Sequence, residues 1–150
     1  MLNAMSLILL GFTFGPLHAS NGGHLEFHGA FAETSFQGDA CKSVFLFSDY
    51  TTRHYVAGAN HRTSVVNFSS PDKTGFFSGV TVVGLLGPEN DIRDERTTSK
   101  DGITTHIVAE GIVSQDLLLL DVKVDMVRSD TSEVICTAQG QYSAFNRSVF

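Results

Sequence analysis

The stretch "DLLLLDVKVDMVRSDTSEVICTAQGQYSAF" (Asp116 to Phe145) decides the fold class of this 150-residue chain. Each half places an apolar residue at every second position, which is the pattern of a β-strand with one buried face. Ser129, Asp130 and Thr131 separate the halves, so the stretch predicts a long antiparallel hairpin. The residues expected to face the core are Leu118, Leu120, Val122, Val124 and Met126 in the first strand and Val134, Cys136, Ala138, Gly140 and Tyr142 in the second.

The same alternation runs through most of the chain upstream of this hairpin. Near the start it places Leu25, Phe27, Gly29 and Phe31 on one face of a strand and His24, Glu26 and His28 on the other. Further strands are predicted in "KSVFLFSDY", "RHYVAGA", "TSVVNFS", "FFSGVTVVGLL" and "TTHIVAEGIV". The polar stretch from Glu89 to Gly102 is predicted to be a solvated loop.

About eight short strands without interleaved helices predict an all-β fold in one domain. The expected architecture is an immunoglobulin-like antiparallel sandwich, and the alternative is a small antiparallel β-barrel. The net charge is −6, and the ten basic residues are scattered along the chain. Because nucleic acids and anionic membranes require clustered Lys and Arg, neither is expected as a partner.

Residues 1–20 are predicted to be a secretory signal peptide, which leaves 21–150 as one β-sandwich domain. The apolar run from Leu7 to Leu17 is too short to span a bilayer, which needs about 20 apolar residues. The positive residues that usually open a signal peptide are missing, so a buried N-terminal element is the alternative. Cys41 and Cys136 are an even pair in a chain predicted to be exported, which suggests one disulfide.

The two histidines near the start of the chain do not form a local metal site. His24 and His28 are four residues apart, which on a strand separates them by about 13 Å. A tripeptide copper chelate at Gly22-Gly23-His24 would need a free amino terminus at Gly22, and two ordinary glycines before a strand are the favoured interpretation.

The catalytic and nucleotide-binding patterns G-x-S-x-G and G-x-x-x-x-G-K-[ST] are missing from the sequence, and we predict no catalytic residues, no cofactor and no enzyme activity. Asn67-Phe68-Ser69 and Asn146-Arg147-Ser148 match the N-glycosylation pattern, at a frequency near that expected by chance.

Two stretches carry a family resemblance. "NGGHLEFHG" (Asn21 to Gly29), directly behind the predicted signal peptide, resembles the start of type 1-like fimbrial subunits of the chaperone–usher class. "GQYSAFNRSVF" (Gly140 to Phe150) resembles the final strand of the same family. Together the two stretches cover roughly twenty residues.

The resemblance implies a structural or adhesive subunit that is assembled by donor-strand complementation. Asn21, Gly23, Leu25, Phe27 and Gly29 would belong to the donor strand, and the C-terminal strand would border the acceptor groove. The implied partners are other fimbrial subunits, a periplasmic chaperone and usher, and a possible host receptor. The implied location is the periplasm in transit and then the cell surface.

Two further hypotheses remain open. The first is a small secreted or periplasmic β-barrel that binds an apolar ligand or inhibits an enzyme, with Phe45, Phe47, Phe76 and Phe77 around a cavity. The second is an extracytoplasmic enzyme, for which the sequence offers no catalytic set. A sheet that is closed beside the C-terminal strand would favour the barrel, and a sheet that is open there would favour the fimbrial subunit.

Overall fold

A computed structural model describes residues 24–45, 49–57 and 62–147. They contain eight strands and a short 3-10 helix, Asp39–Ser43. The strands are β1 (Leu25–Gln37), β2 (Asp49–Ala57), β3 (Thr63–Ser69), β4 (Thr81–Leu85), β5 (Asp91–Lys100), β6 (Ile103–Val113), β7 (Leu117–Arg128) and β8 (Val134–Asn146). The predicted all-β fold is therefore confirmed.

All eight strands belong to one antiparallel sheet in the order β4-β3-β2-β1-β8-β7-β6-β5. Each strand pairs with its neighbours in the chain, except that β1 pairs with β8 and that β4 and β5 end the sheet. This up-and-down order brings the first and the last strand together, so the sheet curls toward closure. It matches the barrel alternative.

The two end strands meet at a junction that has few backbone hydrogen bonds. The amide of Val83 on β4 donates to the carboxylate of Asp94 on β5 at 3.0 Å. Gly84 lies so close to the backbone of Arg93 that a Cβ there would be 2.6 Å from its carbonyl oxygen. A side chain at position 84 would push the strands apart, and glycine lets the barrel nearly close.

Strand β5 corrects the prediction of a loop over Glu89 to Gly102. The stretch has few apolar residues, but its side chains are used in two ways. Asp94 and Arg96 point inward and form an ion pair at 2.8 Å, while Arg93 outside pairs with Glu110 of β6 at 2.9 Å. Inward charges on an end strand also hinder further strand pairing, which explains a strand of this composition at the end of a sheet.

Two other boundaries differ from the predicted ones. Lys42 and Ser43 lie in the 3-10 helix rather than in a strand, and β2 begins only at Asp49. Strand β4 is shorter than the stretch predicted from Phe76 onward, because Phe77 is buried in the core and its amide donates to the hydroxyl of Tyr50 at 3.3 Å.

The predicted core faces are confirmed with one exception. The pairs Leu120–Tyr142, Val122–Gly140, Val124–Ala138 and Met126–Cys136 lie directly opposite each other on β7 and β8, and all of these residues are buried. Val134 is instead 62% exposed, because the pairing shifts register next to Met126. In β1, Phe27 and Phe31 are buried as predicted.

The disulfide between Cys41 and Cys136 is present, as predicted, with 5.1 Å between the two Cα atoms. It ties the 3-10 helix to the start of β8. Phe45, just after this helix, lies against Gly140, where a Cβ would be 2.7 Å from the ring. The disulfide therefore holds the segment from the 3-10 helix to Phe45 against the barrel core.

We expect the double substitution Cys41→Ala and Cys136→Ala to lower the free energy of unfolding by about 2–5 kcal/mol, because the unfolded chain regains the freedom that the cross-link removes. Urea denaturation followed by circular dichroism would measure the change. The wild-type chain in reducing buffer is the control and should unfold at nearly the same urea concentration as the double variant. Equal stability of the oxidised wild type and the double variant would contradict this role.

Candidate functional site

The outer surface of the barrel carries a groove of about 390 Å³. It crosses the strands from β5 through β8 and reaches β1. Its volume lies in the range of small-ligand pockets. The polar side chains that line it are Thr34, Arg93, Glu110, Asp121, Lys123 and Gln139.

Strand geometry explains why these side chains share one surface. Successive residues of a strand point to opposite faces, so Asp121 and Lys123 point outward on β7 while Val122 between them is buried. Strand pairing then places Glu110 opposite Asp121 and Gln139 opposite Lys123. Residues from distant parts of the chain thereby form two adjacent polar rows across the sheet.

Thr34 enters the groove because β1 is irregular at this point. The pairing of β1 with β8 shifts register between Glu33 and Ser35, which leaves Thr34 as the extra residue of a β-bulge. Bulges redirect side chains and often lie beside functional surfaces.

The charges of the groove are unevenly satisfied. Arg93 pairs with Glu110 at 2.9 Å, and the amide of Gln141 donates to the carboxylate of Asp121 at 3.0 Å. Among the described residues no cation pairs with Asp121, and the acidic Glu110 lies directly opposite it. Two like charges opposite each other are unfavourable, so a donor that reached Asp121 from outside would gain a charge-assisted hydrogen bond.

Lys123 is held in place at the other side of the groove. Its ammonium group lies 2.9 Å from Asp125. Burial raises the pKa of Asp125, but hydrogen bonds from Lys123 and Thr137 outweigh burial and hold that pKa below its ordinary value. Asp125 therefore stays charged at neutral pH and keeps the cation at the rim of the groove.

The aromatic residues of the interior pack against one another. Phe31 stacks on Phe77 with ring centroids 4.6 Å apart, and Phe45 lies 5.8 Å from Phe77. Phe76 contacts Phe77 at 4.9 Å, and Phe47 lies outside the described residues. These distances are those of packed aromatic pairs, so the described rings pack closely against one another in the interior.

A buried polar pair lies farther along the interior. Nε2 of His54 and Oγ of Ser64 share a hydrogen bond of 2.9 Å. A nucleophile and its base in hydrolases have the same spacing. Here both side chains are buried, at 2% and 0% exposure, between the neighbouring strands, so a substrate in solution does not reach them.

Burial also sets the charge of this histidine. It lowers the pKa of His54 to about 4, because a buried imidazolium loses its hydration. The side chain is therefore neutral at physiological pH and acts as a hydrogen-bonding part of the core.

The structure places the predicted donor-strand residues within this chain's own sheet. Leu25, Phe27 and Gly29 lie on β1, which pairs with β2 on one side and β8 on the other. Asn21 and Gly23 lie outside the described residues, as does Gly22, the first residue of the tripeptide considered as a copper chelate. The structure does not bring these residues together with the groove.

The groove residues were not predicted from the sequence. Arg93 belongs to the stretch predicted to be a loop, although Asp101-Gly102 between Lys100 and Ile103 is a two-residue hairpin signal. Both turn residues have positive φ, 52° and 76°, as such a turn requires. The Asp-Gly pair was the signal that could have revealed β5.

Comparison with known proteins does not extend these observations. No protein-family model, curated protein or solved structure matches this chain. In the part of the chain that the structure describes, no helix is long and apolar enough to cross a membrane. The same described residues contain no group of three or more His, Cys, Asp or Glu that could hold a metal ion.

We expect the free energy of unfolding to fall on acidification between about pH 6.5 and pH 4. His54 has a lower pKa in the folded chain than in the unfolded chain, so the unfolded state takes up a proton first. The loss should be on the order of 3 kcal/mol, at 1.36 kcal/mol for each pKa unit. Urea denaturation at several pH values measures it.

The His54→Gln variant should be less stable at neutral pH but should lose most of this pH dependence. The exposed His24 provides the control, since His24→Gln should leave the dependence intact. If the free energy of unfolding of His54→Gln falls equally steeply on acidification, His54 is not the group that causes the pH dependence.

Proposed function

We propose that this protein is an exported, non-catalytic β-barrel protein that binds a polar partner in the groove on the outside of β5–β8. Inhibition of a secreted enzyme is one form that such binding takes. The observation that carries the proposal is the groove itself, in which charged side chains from several strands line a volume of about 390 Å³.

The lining of the groove favours a polar partner over an apolar ligand. Arg93, Glu110, Asp121 and Lys123 provide both charge signs, and Thr34 and Gln139 add hydrogen-bonding groups. An apolar ligand would displace water from these groups and offer them no hydrogen bond in return, at a cost of about 1–3 kcal/mol for each group left unsatisfied.

The dimensions of the groove favour an extended peptide segment. The groove spans five neighbouring strands, β5 to β8 and β1, and a separation of about 4.8 Å between strands gives a width of about 19 Å across the sheet. At about 3.3 Å per residue, this matches an extended segment of roughly six residues. The proposed partner is therefore a polar segment of another protein, with a basic residue placed to reach Asp121.

Selection from a displayed library of random peptides tests this proposal. Peptides that bind the wild-type protein should lose at least tenfold in affinity for the Asp121→Lys variant, because a repelling charge then faces their basic residue. Asp49→Lys is the matched control, since Asp49 is an exposed aspartate at the end of β2, away from the groove, and the variant should bind normally. Equal binding by both variants, or no selected peptide, would contradict the groove as the binding site.

The fimbrial hypothesis remains a proposal that rests on the resemblance alone, and its immunoglobulin-like sandwich is unconfirmed. Donor-strand complementation needs an open groove beside the C-terminal strand. In this chain β8 has hydrogen-bonded neighbours on both sides, β1 and β7, which favours the barrel hypothesis.

We expect the exported chain to unfold in one cooperative transition as a monomer, without a chaperone or an added peptide. The reason is that every strand except β4 and β5 has two hydrogen-bonded neighbours of its own. Analytical ultracentrifugation and thermal unfolding would measure this. A chain that is unstable alone and gains stability from a peptide of the sequence SNGGHLEFHGAF would favour the fimbrial hypothesis instead.

A further inference from the structure

The two sequence matches to the N-glycosylation pattern have opposite structural environments. Asn67 lies on β3 and Asn146 ends β8. A glycan attaches to Nδ2 of the asparagine, so this atom must be able to leave the protein surface.

Asn146 is built into the fold. Its side chain is only 4% exposed, and its Nδ2 donates to the carbonyl of Gln115 at 2.8 Å. Its backbone amide also donates to the carbonyl of Asp116 at 3.0 Å. A glycan on this nitrogen would break the contact between β8 and the turn before β7, so the folded chain does not accommodate it.

Asn67 is oriented differently. It is partly exposed, between the inward-facing Val66 and Phe68, and so points to the outer surface. The hydroxyl of Thr81 donates to its Oδ1 at 2.7 Å. Because a glycosylated asparagine keeps Oδ1 as an acceptor, this hydrogen bond would survive modification of Nδ2.

An exposed apolar row lies beside Asn67 on the same outer surface. Val65, two residues before Asn67, is itself only 6% exposed and lies directly opposite Tyr55 on β2 and Val83 on β4. Tyr55 and Val83 are each 40% exposed, and Leu85 on β4 is 77% exposed. Positions two apart on a strand are separated by about 6.6 Å, so the first sugars of a glycan on Asn67 would reach this row.

We propose that Asn67 is an N-linked glycosylation site and that its glycan covers the exposed apolar row of Tyr55, Val83 and Leu85. The inference rests on the export that the proposed function includes. In the reaction, Nδ2 of Asn67 attacks C1 of the first sugar of a polyprenyl-diphosphate-linked oligosaccharide. The new N–C1 bond replaces the C1–O bond to the diphosphate, the amide loses one proton, and polyprenyl diphosphate leaves.

Expression of the full chain in a eukaryotic secretory host tests the proposal. The secreted wild type should shift to lower mass on treatment with a peptide N-glycosidase, and mass spectrometry should find Asn67 converted to aspartate. Asn67→Gln should abolish the shift, and Asn146→Gln should leave it unchanged. A shift that survives Asn67→Gln would overturn the assignment.

A third variant separates this inference from the export on which it rests. Asp130→Asn places an N-x-S triplet in the exposed turn between β7 and β8. If this variant gains a glycan while the wild type carries none, the chain is exported but Asn67 is not a glycosylation site. If neither protein is modified or secreted, the proposal that the chain is exported is wrong, and the glycosylation site that depends on export is wrong as well.

The covering role has its own measurement. Deglycosylation under native conditions should increase the binding of a hydrophobic fluorescent dye, and Leu85→Ser in the deglycosylated protein should reduce that increase. Unchanged dye binding after removal of the glycan would overturn the covering role.

Discussion

The pairing of the first strand with the last is the constraint on which the rest of this structure depends. Strand β1 pairs with β8 from Phe27 opposite Asn146 to Gln37 opposite Thr137. Such a long-range ladder closes nearly the whole chain into one loop, at a cost in chain entropy. The disulfide between Cys41 and Cys136, beside the far end of the ladder, reduces that cost by cross-linking the unfolded chain over a similar length.

Closure of the sheet has consequences for function. Once β1 and β8 pair, the inward side chains of all eight strands face one interior, and Phe31 there contacts the rings of Phe45, Tyr50 and other aromatic residues. The described interior thus contains a packed aromatic cluster, and the groove of polar side chains lies on the outside. The groove across β5–β8 and the apolar row on β2–β4 are both outer surfaces, separated by the junction of β4 and β5.

The sequence predicted much of the fold where the apolar alternation was regular. The hairpin of β7 and β8 was predicted with its inward residues, and only Val134 differed, because a register shift at the end of the hairpin could not be foreseen. Strand β5 was missed because Ile92 is its only large apolar residue, and a charged strand looks like a loop when its partners are unknown. The groove was missed for the same reason, since its side chains are polar residues that belong together only after five strands align.

The sequence by itself determined that the chain is all-β and which side chains of most strands are inward, and it suggested a disulfide between Cys41 and Cys136. These properties follow from local alternation and from residue type, and both can be read along the chain. The tertiary structure alone decided that β1 closes against β8, that Asp91–Lys100 is a strand, and that Arg93 and Asp121 line one groove. Strand pairing joins residues that are far apart in the chain. The two-residue period of apolar side chains shows which face of its strand each side chain occupies, but it does not show which other strand lies beside that strand.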